Sequence, residues 1–298
     1  MVQALEFYSG IGGLHCALTT SHVPGTVIRA YDWDQNACRI YSKNYGKGIA
    51  YRVDISTLTA ADIGDLGADL WLLSPACQPY TVLNPNAKGA GDPRAKSFLH
   101  LVQAVLPEIT PAQRPSYILV ENVAGFETSS TRQVLLASLC DLEYSVREYY
   151  LLARRKPWVS GMDKGVLKEI PGQDYLDHDG EEYMVPDRVL TKWGRLFDIV
   201  LPGDRKTCCF TSAGSILQMN EELDTTKTFN EFLPTADLAI LRPLRLRYFT
   251  PNELLRIFDF DSSLFQWPDD VSRKTKYRLI GNSVNVRVVA ALLDHLFE

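Results

Sequence analysis

The first half of the chain alternates short apolar runs with amphipathic stretches. The apolar runs are nearly continuous, which is typical of strands buried on both faces of a parallel sheet. They lie at Ala4–Tyr8, Thr26–Tyr31, Leu70–Ser74 and Tyr117–Glu121. Stretches with helical spacing of apolar positions separate them, at Gly13–Thr20, Asp34–Asn44, Ala95–Leu106 and Thr131–Leu139. This alternation predicts an α/β fold with a doubly wound, mostly parallel sheet and helices on both faces.

The pattern changes after Tyr150. Residues 157–185 are rich in Gly, Pro, Asp and Lys and have weak periodicity, so we expect irregular structure or a small subdomain there. Helical spacing returns at Pro251–Phe258 and Val286–Leu296, and the apolar stripe of the second helix predicts that it packs back on the sheet. The chain is therefore predicted to leave a main domain and return to it. We predict that residues 1–155 form the main domain and residues 156–245 a smaller region. Residues 246–298 are predicted to belong to the main domain again.

Composition and charge exclude several classes of protein. With 298 residues, 46% of them hydrophobic, the chain can bury a sizeable core, which excludes a disordered or fibrous protein. No apolar run approaches the length of a membrane span and no signal-peptide pattern opens the chain, so we expect a cytoplasmic or nuclear protein without membrane contact. Because the net charge is −5, any contact with nucleic acid must be local.

One cysteine stands out from the other five. The six cysteines form no Cys-x-x-Cys pair and no Cys/His group at zinc spacing, so we expect neither a disulfide framework nor a metal site. Cys77 lies in Ser74-Pro75-Ala76-Cys77-Gln78-Pro79, directly after a predicted strand. Open α/β sheets place ligands at the carboxyl ends of their strands, and the flanking prolines constrain the loop. This position favours a catalytic thiolate over a buried structural cysteine.

A glycine-rich turn, Ser9-Gly10-Ile11-Gly12-Gly13, links the first predicted strand to the first helix. Its glycines allow backbone amides to approach a ligand, and a helix N-terminus favours an anionic group. A plain tight turn is the other interpretation. Asp32, at the end of the second strand, is placed to accept hydrogen bonds from a ribose diol. Asp34 is close enough in the sequence to make the same contact, and Asp54 follows the next strand. Each of these aspartates can instead cap a helix or turn.

Glu121 ends the run Ile118-Leu119-Val120-Glu121, at the same edge of the predicted sheet as Cys77. A carboxylate after several apolar positions is costly to desolvate unless it is paired or used. A helix cap or a salt bridge is the alternative role. With Cys77 after the neighbouring strand, we favour an active-site glutamate.

Together these motifs resemble those of the DNA cytosine-5 methyltransferase family. Within it, the chain is most similar to the branch that methylates transfer RNA, the tRNA-aspartate methyltransferases, because of Cys209-Phe210-Thr211 together with Leu246-Arg247-Tyr248-Phe249-Thr250. The matching motifs run from Phe7 to Val123 and from Thr207 to the C-terminus, and Asp92-Pro93-Arg94 resembles a cofactor-side segment.

The resemblance implies a Rossmann-like methyltransferase with a small target-recognition domain, acting as a monomer. It would transfer a methyl group from S-adenosylmethionine to C5 of cytosine in tRNA, in the anticodon loop of tRNA-Asp. Cys77 would form a covalent bond to the base and Glu121 would hydrogen bond to it. The implied cofactor residues are Phe7, Ser9, Gly10, Ile11, Gly12, Gly13, Leu14, Asp32, Trp33, Asp54, Ile55, Ser74, Pro75, Asn282, Ser283 and Val284. The implied substrate contacts are Gln78, Asn122, Cys209, Phe210, Thr211 and Arg247.

The sequence departs from the family pattern at three places. Ala76 replaces a second proline, and residues 144–155 lack the connecting segment that carries an asparagine-serine-arginine-x-arginine motif in relatives. Thr211 also runs almost directly into Ser212-Ala213-Gly214, without the aromatic and basic residues of a full recognition loop. These losses support one alternative, a catalytically impaired homologue that binds cofactor or RNA. The other alternative is a DNA cytosine-5 methyltransferase, since its chemistry is the same.

Overall fold

The computed structural model describes residues 1–80, 88–148, 175–177, 180–194, 197–202, 215–220 and 238–298. The chain divides into two compact units. The first comprises residues 1–161, 266–269 and 284–298, and the second comprises 162–265 and 270–283. The predicted return at residue 246 does not coincide with this division, because 246–265 pack within the second unit. The functional domain boundaries stay a prediction.

The described strands and helices follow the chain in a regular order. The strands are β1 (Val2–Phe7), β2 (Gly25–Asp32), β3 (Ala50–Arg52), β4 (Leu70–Leu73), β5 (Tyr117–Val120), β6 (Asp198–Val200), β7 (Ser215–Gln218) and β8 (Leu246–Arg247). The helices are α1 (Gly13–Thr20), α2 (Gln35–Tyr45), α3 (Ala60–Gly64), α4 (Lys96–His100), α5 (Leu106–Glu108), α6 (Ser130–Asp141), α7 (Asp187–Trp193), α8 (Leu238–Leu241), α9 (Pro251–Ile257), α10 (Arg273–Gly281) and α11 (Val286–Leu296). None of these helices is both long and apolar enough to cross a bilayer.

The first unit is built on a parallel sheet of five strands in the order β3-β2-β1-β4-β5. From β1 the chain proceeds across the sheet to β2 and β3, and it then crosses to β4 on the other side of β1. The switch point of the sheet therefore lies between the neighbouring strands β1 and β4. Such a switch point is where open α/β sheets form a crevice at the carboxyl ends of their strands. The predicted doubly wound, parallel sheet is confirmed.

Both faces of this sheet are covered, and alternate residues of β1 point to different faces. Leu5 and Phe7 join a core made with α3 to α6, in which Phe7 stacks on Tyr31 at 5.3 Å and contacts Trp71 at 5.1 Å between ring centroids. Glu6 points to the opposite face, where α1, α2 and α11 lie. As predicted, α11 packs back on this unit, against α1, and His22 hydrogen bonds to Asp294.

The described part of the second unit has a three-stranded sheet in the order β6-β7-β8 and a small apolar core of its own. A buried ion pair lies beside it: the Arg247 guanidinium donates to both Glu253 carboxylate oxygens, at 2.6 and 2.8 Å, and their side chains are 1% and 0% exposed. Glu253 and Thr250 also form a capping box at the start of α9. The pair therefore fixes the strand β8 to the helix that follows it.

Candidate active site

The glycine-rich turn leaves the carboxyl end of β1 with an unusual backbone. Tyr8, Gly10 and Gly12 all have positive φ angles, of 61°, 53° and 89°. The turn is tied to the end of β2, because the Ser9 amide donates to the Tyr31 carbonyl at 3.1 Å and the Gly10 amide donates to Asp32 Oδ2 at 2.8 Å. Its shape is therefore held by hydrogen bonds from the neighbouring strand.

The three candidate aspartates have different local roles. Asp32 is buried, and its Oδ1 accepts from the Asp34 amide at 2.8 Å while Oδ2 accepts from Gly10. Burial raises the pKa of Asp32, and these backbone hydrogen bonds oppose the rise. Asp34 caps α2 through the Asn36 and Ala37 amides, and Asp54 caps a short 3₁₀ turn through the Ser56 amide. Asp32 thus braces the glycine turn, while the contact of Asp32 with a ribose and the contact of Asp54 with the cofactor stay predictions.

Two side chains near this turn are unusual for a folded protein. The hydroxyl of Ser9 is buried and has no hydrogen-bond partner among the described residues. Trp33, which follows Asp32, is 76% exposed. Buried hydroxyls are ordinarily paired and large indole rings are ordinarily covered, so both groups are suited to contact a ligand.

The other predicted cofactor residues fall into two groups. Several have buried side chains; these are Phe7, Ile11, Leu14 and Ile55. Gly13 begins α1, and Ser74 and Pro75 lie at the end of β4. Asn282 and Ser283 follow α10 in the second unit, and Val284 is a buried residue of the first unit. Their cofactor contacts stay predictions.

The Cys77 loop is anchored on both sides. Ser74 Oγ donates to the Tyr8 carbonyl at 3.2 Å, which ties the loop to the end of β1. Asn122 Nδ2 donates to the Pro75 carbonyl at 3.1 Å, which ties it to the residues after β5. The Tyr80 amide donates to the Cys77 carbonyl at 2.9 Å and closes a turn around the cysteine. Asn122 therefore positions the loop, and Gln78 is exposed next to Cys77.

Cys77 and Glu121 lie close enough for their charges to interact. Burial raises the pKa of the Cys77 thiol, the Glu121 carboxylate raises it further, and the Arg94 guanidinium lowers it. Burial also raises the pKa of Glu121. The structure therefore brings together the two predicted catalytic residues, in surroundings that favour the neutral form of both.

Arg94 was not predicted to act on Cys77. Asp92 holds the Arg94 side chain through two hydrogen bonds, Nε to Oδ1 at 2.9 Å and Nη2 to Oδ2 at 2.7 Å. The Gly89 amide donates to the Pro79 carbonyl at 3.2 Å, which joins this turn to the Cys77 loop. The spacing Asp-Pro-Arg indicates a local ion pair, but the sequence contains no signal that the pair faces the cysteine.

Three of the predicted substrate contacts, Cys209, Phe210 and Thr211, lie outside the described residues. Arg247 is described, and the prediction that it contacts the substrate is corrected: its side chain is 1% exposed and is engaged by Glu253. A guanidinium that is buried and paired in this way supports the fold of its own unit.

Comparison with known proteins gives a consistent result. The chain matches the family described as C-5 cytosine-specific DNA methylase over residues 2–155 and 170–298. It is 37% identical to a tRNA (cytosine(38)-C(5))-methyltransferase of Schizosaccharomyces pombe, covering all of this chain and 97% of that protein. It is 30% identical to a DNA (cytosine-5)-methyltransferase of Dictyostelium discoideum, covering 99% of this chain and 94% of that protein.

The solved structure of the Entamoeba histolytica methyltransferase EhMeth superimposes with a TM-score of 0.85 at 31% identity, covering all of this chain and 98% of the other. The chain is thus similar to these proteins over nearly its whole length. The residues matched by the family include the cysteine after β4, the glutamate after β5 and the glycine turn after β1. This chain belongs to the cytosine-5 methyltransferase family.

Proposed function

We propose that this protein transfers a methyl group from S-adenosylmethionine to C5 of a cytosine in tRNA, with Cys77 as the nucleophile. The observation that carries the proposal is the proximity of Cys77 and Glu121 at the carboxyl ends of adjacent strands. The Schizosaccharomyces pombe relative, a tRNA methyltransferase by name, supports tRNA as the substrate. A cytosine of the anticodon loop in tRNA-Asp is the target that we propose, because an unpaired loop base can be turned into an enzyme pocket at low cost.

The residues of the glycine turn fit S-adenosylmethionine. The buried Ser9 hydroxyl has no partner among the described residues, so it can bind a polar group of the cofactor. The backbone amide of Gly13, which precedes the two α1 amides that bond to Glu6, suits its carboxylate, and the exposed Trp33 ring suits stacking on its adenine. When bound, the cofactor supplies an electrophilic methyl group.

Cys77 and Glu121 have complementary tasks in the proposed reaction. The Cys77 thiol gives its proton to water and its sulfur bonds to C6 of cytosine, which moves the C5–C6 double-bond electrons toward C5 and makes C5 nucleophilic. Burial raises the pKa of the Glu121 carboxyl, which favours sharing of a proton with N3 of the base, and this hydrogen bond stabilises the charge that develops on the ring. After methylation a base or a water molecule takes the C5 proton, the C5–C6 double bond re-forms and Cys77 leaves as the thiolate.

The raised pKa of Cys77 affects when this reaction can begin. In the free protein the thiol form is favoured, because burial and Glu121 both oppose ionisation. Arg94 opposes them, and Asp92 holds Arg94 in place. We infer that the thiolate forms mainly after the base enters and engages Glu121, which limits reaction with other electrophiles.

A catalytically impaired homologue is the second candidate, and a specific observation favours it. The family match is interrupted between residues 155 and 170, next to the segment that lacks the arginine motif. The alignment with the Schizosaccharomyces pombe protein spans 335 positions, more than the 298 residues present here, so the relative has stretches that this chain lacks. Such a protein would bind cofactor or RNA without transferring a methyl group.

The test is methyl transfer from labelled S-adenosylmethionine to total tRNA and to duplex DNA. Native protein is compared with Cys77→Ala and with Cys140→Ala, which removes an exposed cysteine outside the site. Label in tRNA that is lost only in Cys77→Ala supports the proposal. Label in DNA alone supports the DNA methyltransferase alternative, and cofactor binding without any transfer supports the impaired homologue. We further propose that the protein acts as a monomer in the cytoplasm or the nucleus.

A further inference from the structure

A chain of buried polar side chains lies directly behind the glycine turn. The Tyr41 hydroxyl of α2 donates to Glu6 Oε2 of β1 at 2.6 Å. The same hydroxyl is hydrogen bonded to His15 Nδ1 of α1 at 2.7 Å. Glu6 and Tyr41 are fully buried and His15 is nearly so. Three elements that surround the turn are thus joined through one hydroxyl group.

Tyr45 extends this cluster to the turn itself. Its ring stacks on His15 with 4.2 Å between ring centroids and an interplanar angle of 21°. Its hydroxyl donates to the Gly12 carbonyl at 3.1 Å. The ring also lies against Gly12, where a Cβ atom would be only 2.2 Å from Tyr45 Cε2. Tyr45 therefore contacts both the carbonyl and the Cα face of Gly12.

Glu6 supplies the helix cap that Gly12 cannot supply. Gly12 is the N-cap residue of α1 and has no side chain to accept from the first-turn amides. Glu6 Oε1 accepts from the His15 amide at 3.3 Å, and the Leu14 amide also hydrogen bonds to this carboxyl group. A residue of the strand before the turn thus caps the helix after it.

The backbone of the turn needs such support. Tyr8 is a non-glycine residue at φ 61°, and Gly10 and Gly12 are also at positive φ. Residues in these regions of φ and ψ persist only where the surrounding structure holds them. An apolar cluster would fill the same space without desolvating a carboxyl group, so the polar side chains indicate a demand for defined hydrogen bonds rather than for packing alone.

We infer that Glu6, His15, Tyr41 and Tyr45 are positioning residues that hold the Gly10–Gly13 turn in the shape that binds the cofactor. This inference rests on the proposed function, because it takes the turn as the cofactor site. The cluster acts through the backbone of the turn and does not touch the reacting atoms. Its loss therefore weakens cofactor binding and leaves the chemical step largely unchanged.

The experiment compares Tyr45→Phe and Tyr41→Phe with Tyr144→Phe. Each variant removes one hydroxyl group, and the Tyr144 hydroxyl donates to the Pro115 carbonyl of the same unit, outside the cluster. The Kd for S-adenosylhomocysteine is measured by calorimetry, together with Tm, kcat and the KM for S-adenosylmethionine. We expect Kd and KM to rise about three- to ten-fold in Tyr45→Phe and Tyr41→Phe, as one buried hydrogen bond predicts, with kcat within about two-fold. Tyr144→Phe should change Tm alone.

The outcomes separate this inference from the proposed function. If native protein binds S-adenosylhomocysteine and both cluster variants bind it equally well, the cluster serves stability alone and the inference is wrong. If native protein binds it but methylates no nucleic acid, the proposed function fails, while weaker binding by the variants still supports the inference. Native protein that does not bind S-adenosylhomocysteine overturns both. Tyr45→Phe decides the matter if Tyr41→Phe does not fold, since it retains the ring that packs against Gly12.

Discussion

The ring of Tyr45 occupies the space that any side chain at position 12 would need. A Cβ atom on Gly12 would lie 2.2 Å from Tyr45 Cε2 and 2.9 Å from Cζ. Gly12 also has a φ of +89°, which side chains rarely tolerate. Two independent constraints thus require glycine at this position of the turn.

Gly12→Ala should therefore destabilise the protein by more than about 2 kcal/mol, from backbone strain and overpacking together, and abolish binding of S-adenosylhomocysteine. Gly48→Ala is the matched control. Gly48 has a φ of +87° and no atom of the described residues lies within 4 Å of its Cβ position, so only the strain of about 1 kcal/mol applies. Urea denaturation and calorimetric titration measure both effects. Equal losses in the two variants would show that Tyr45 moves aside without consequence.

Ser9→Ala should have opposite effects on stability and on binding. The Ser9 hydroxyl is buried without a partner among the described residues, so removing it relieves a desolvation cost of about 1 kcal/mol and raises the Tm of the free protein by about 2 °C. Binding of S-adenosylhomocysteine should weaken. Ser74→Ala provides the contrast, because the Ser74 hydroxyl donates to the Tyr8 carbonyl and its loss should lower Tm. A lower Tm for Ser9→Ala would mean that its hydroxyl is already paired.

The buried Glu6 should make stability depend on pH between 6.5 and 8. Burial raises its pKa from 4.5 to about 8, so the unfolded chain releases this proton in a pH range where the folded protein keeps it. Stability from this group is fully present below pH 4.5 and is lost as pH rises through 8, by at most about 1.4 kcal/mol per pH unit. Burial lowers the pKa of His15 to about 4, so its contribution is lost in the other direction, as pH falls below 6.5.

Glu6→Gln tests this dependence. The free energy of unfolding is measured for native protein and variant at pH 6.5, 7 and 8. The variant cannot ionise at this position, so its stability should gain on that of the native protein as pH rises through this window. A difference that stays constant over the window would show that Glu6 does not titrate there.

The corrected role of Arg247 also has a measurable consequence. Arg247→Met leaves the Glu253 carboxylate buried without its partner and should destabilise the second unit by about 3–5 kcal/mol, while Arg247→Met with Glu253→Leu should recover much of that loss. Arg245→Met is the control: Arg245 pairs with Glu181 at the surface, so its loss should be below about 1 kcal/mol. Thermal unfolding of the three variants measures these losses. If Arg247→Met were as stable as the native protein but bound tRNA more weakly, the original prediction that Arg247 contacts the substrate would be correct.

Local sequence patterns predicted the first unit well, because periodicity reports directly on burial. The α1 helix has its predicted bounds, Gly13–Thr20, and the four strands predicted with bounds differ by at most two residues at their ends, whereas no bounds were predicted for β3. The helix predicted to end at Leu106 continues to Glu108 through a π-helical turn at Leu101–Val105. Pro107 lacks an amide hydrogen, and a widened turn before it accommodates that loss.

Contacts between distant residues were beyond what the sequence pattern could show. Glu6 looks like an isolated polar residue in a strand, and its significance depends on Tyr41, which is brought to it only by the packing of α2 on the sheet. Arg247 matched a family motif, yet Glu253 on the next helix buries it. The described strands of the second unit have two to four residues, too few for alternation to be recognised.

The packing of α11 on α1 has a consequence for how the protein is made. Helix α1 is synthesised before the entire second unit, whereas α11, which packs against it, is synthesised after that unit. Until then the apolar side of α1 is exposed to water and to other nascent chains. The turn that we assign to the cofactor therefore reaches its final stability only after the second unit has been synthesised, and before that point this surface is a target for chaperones.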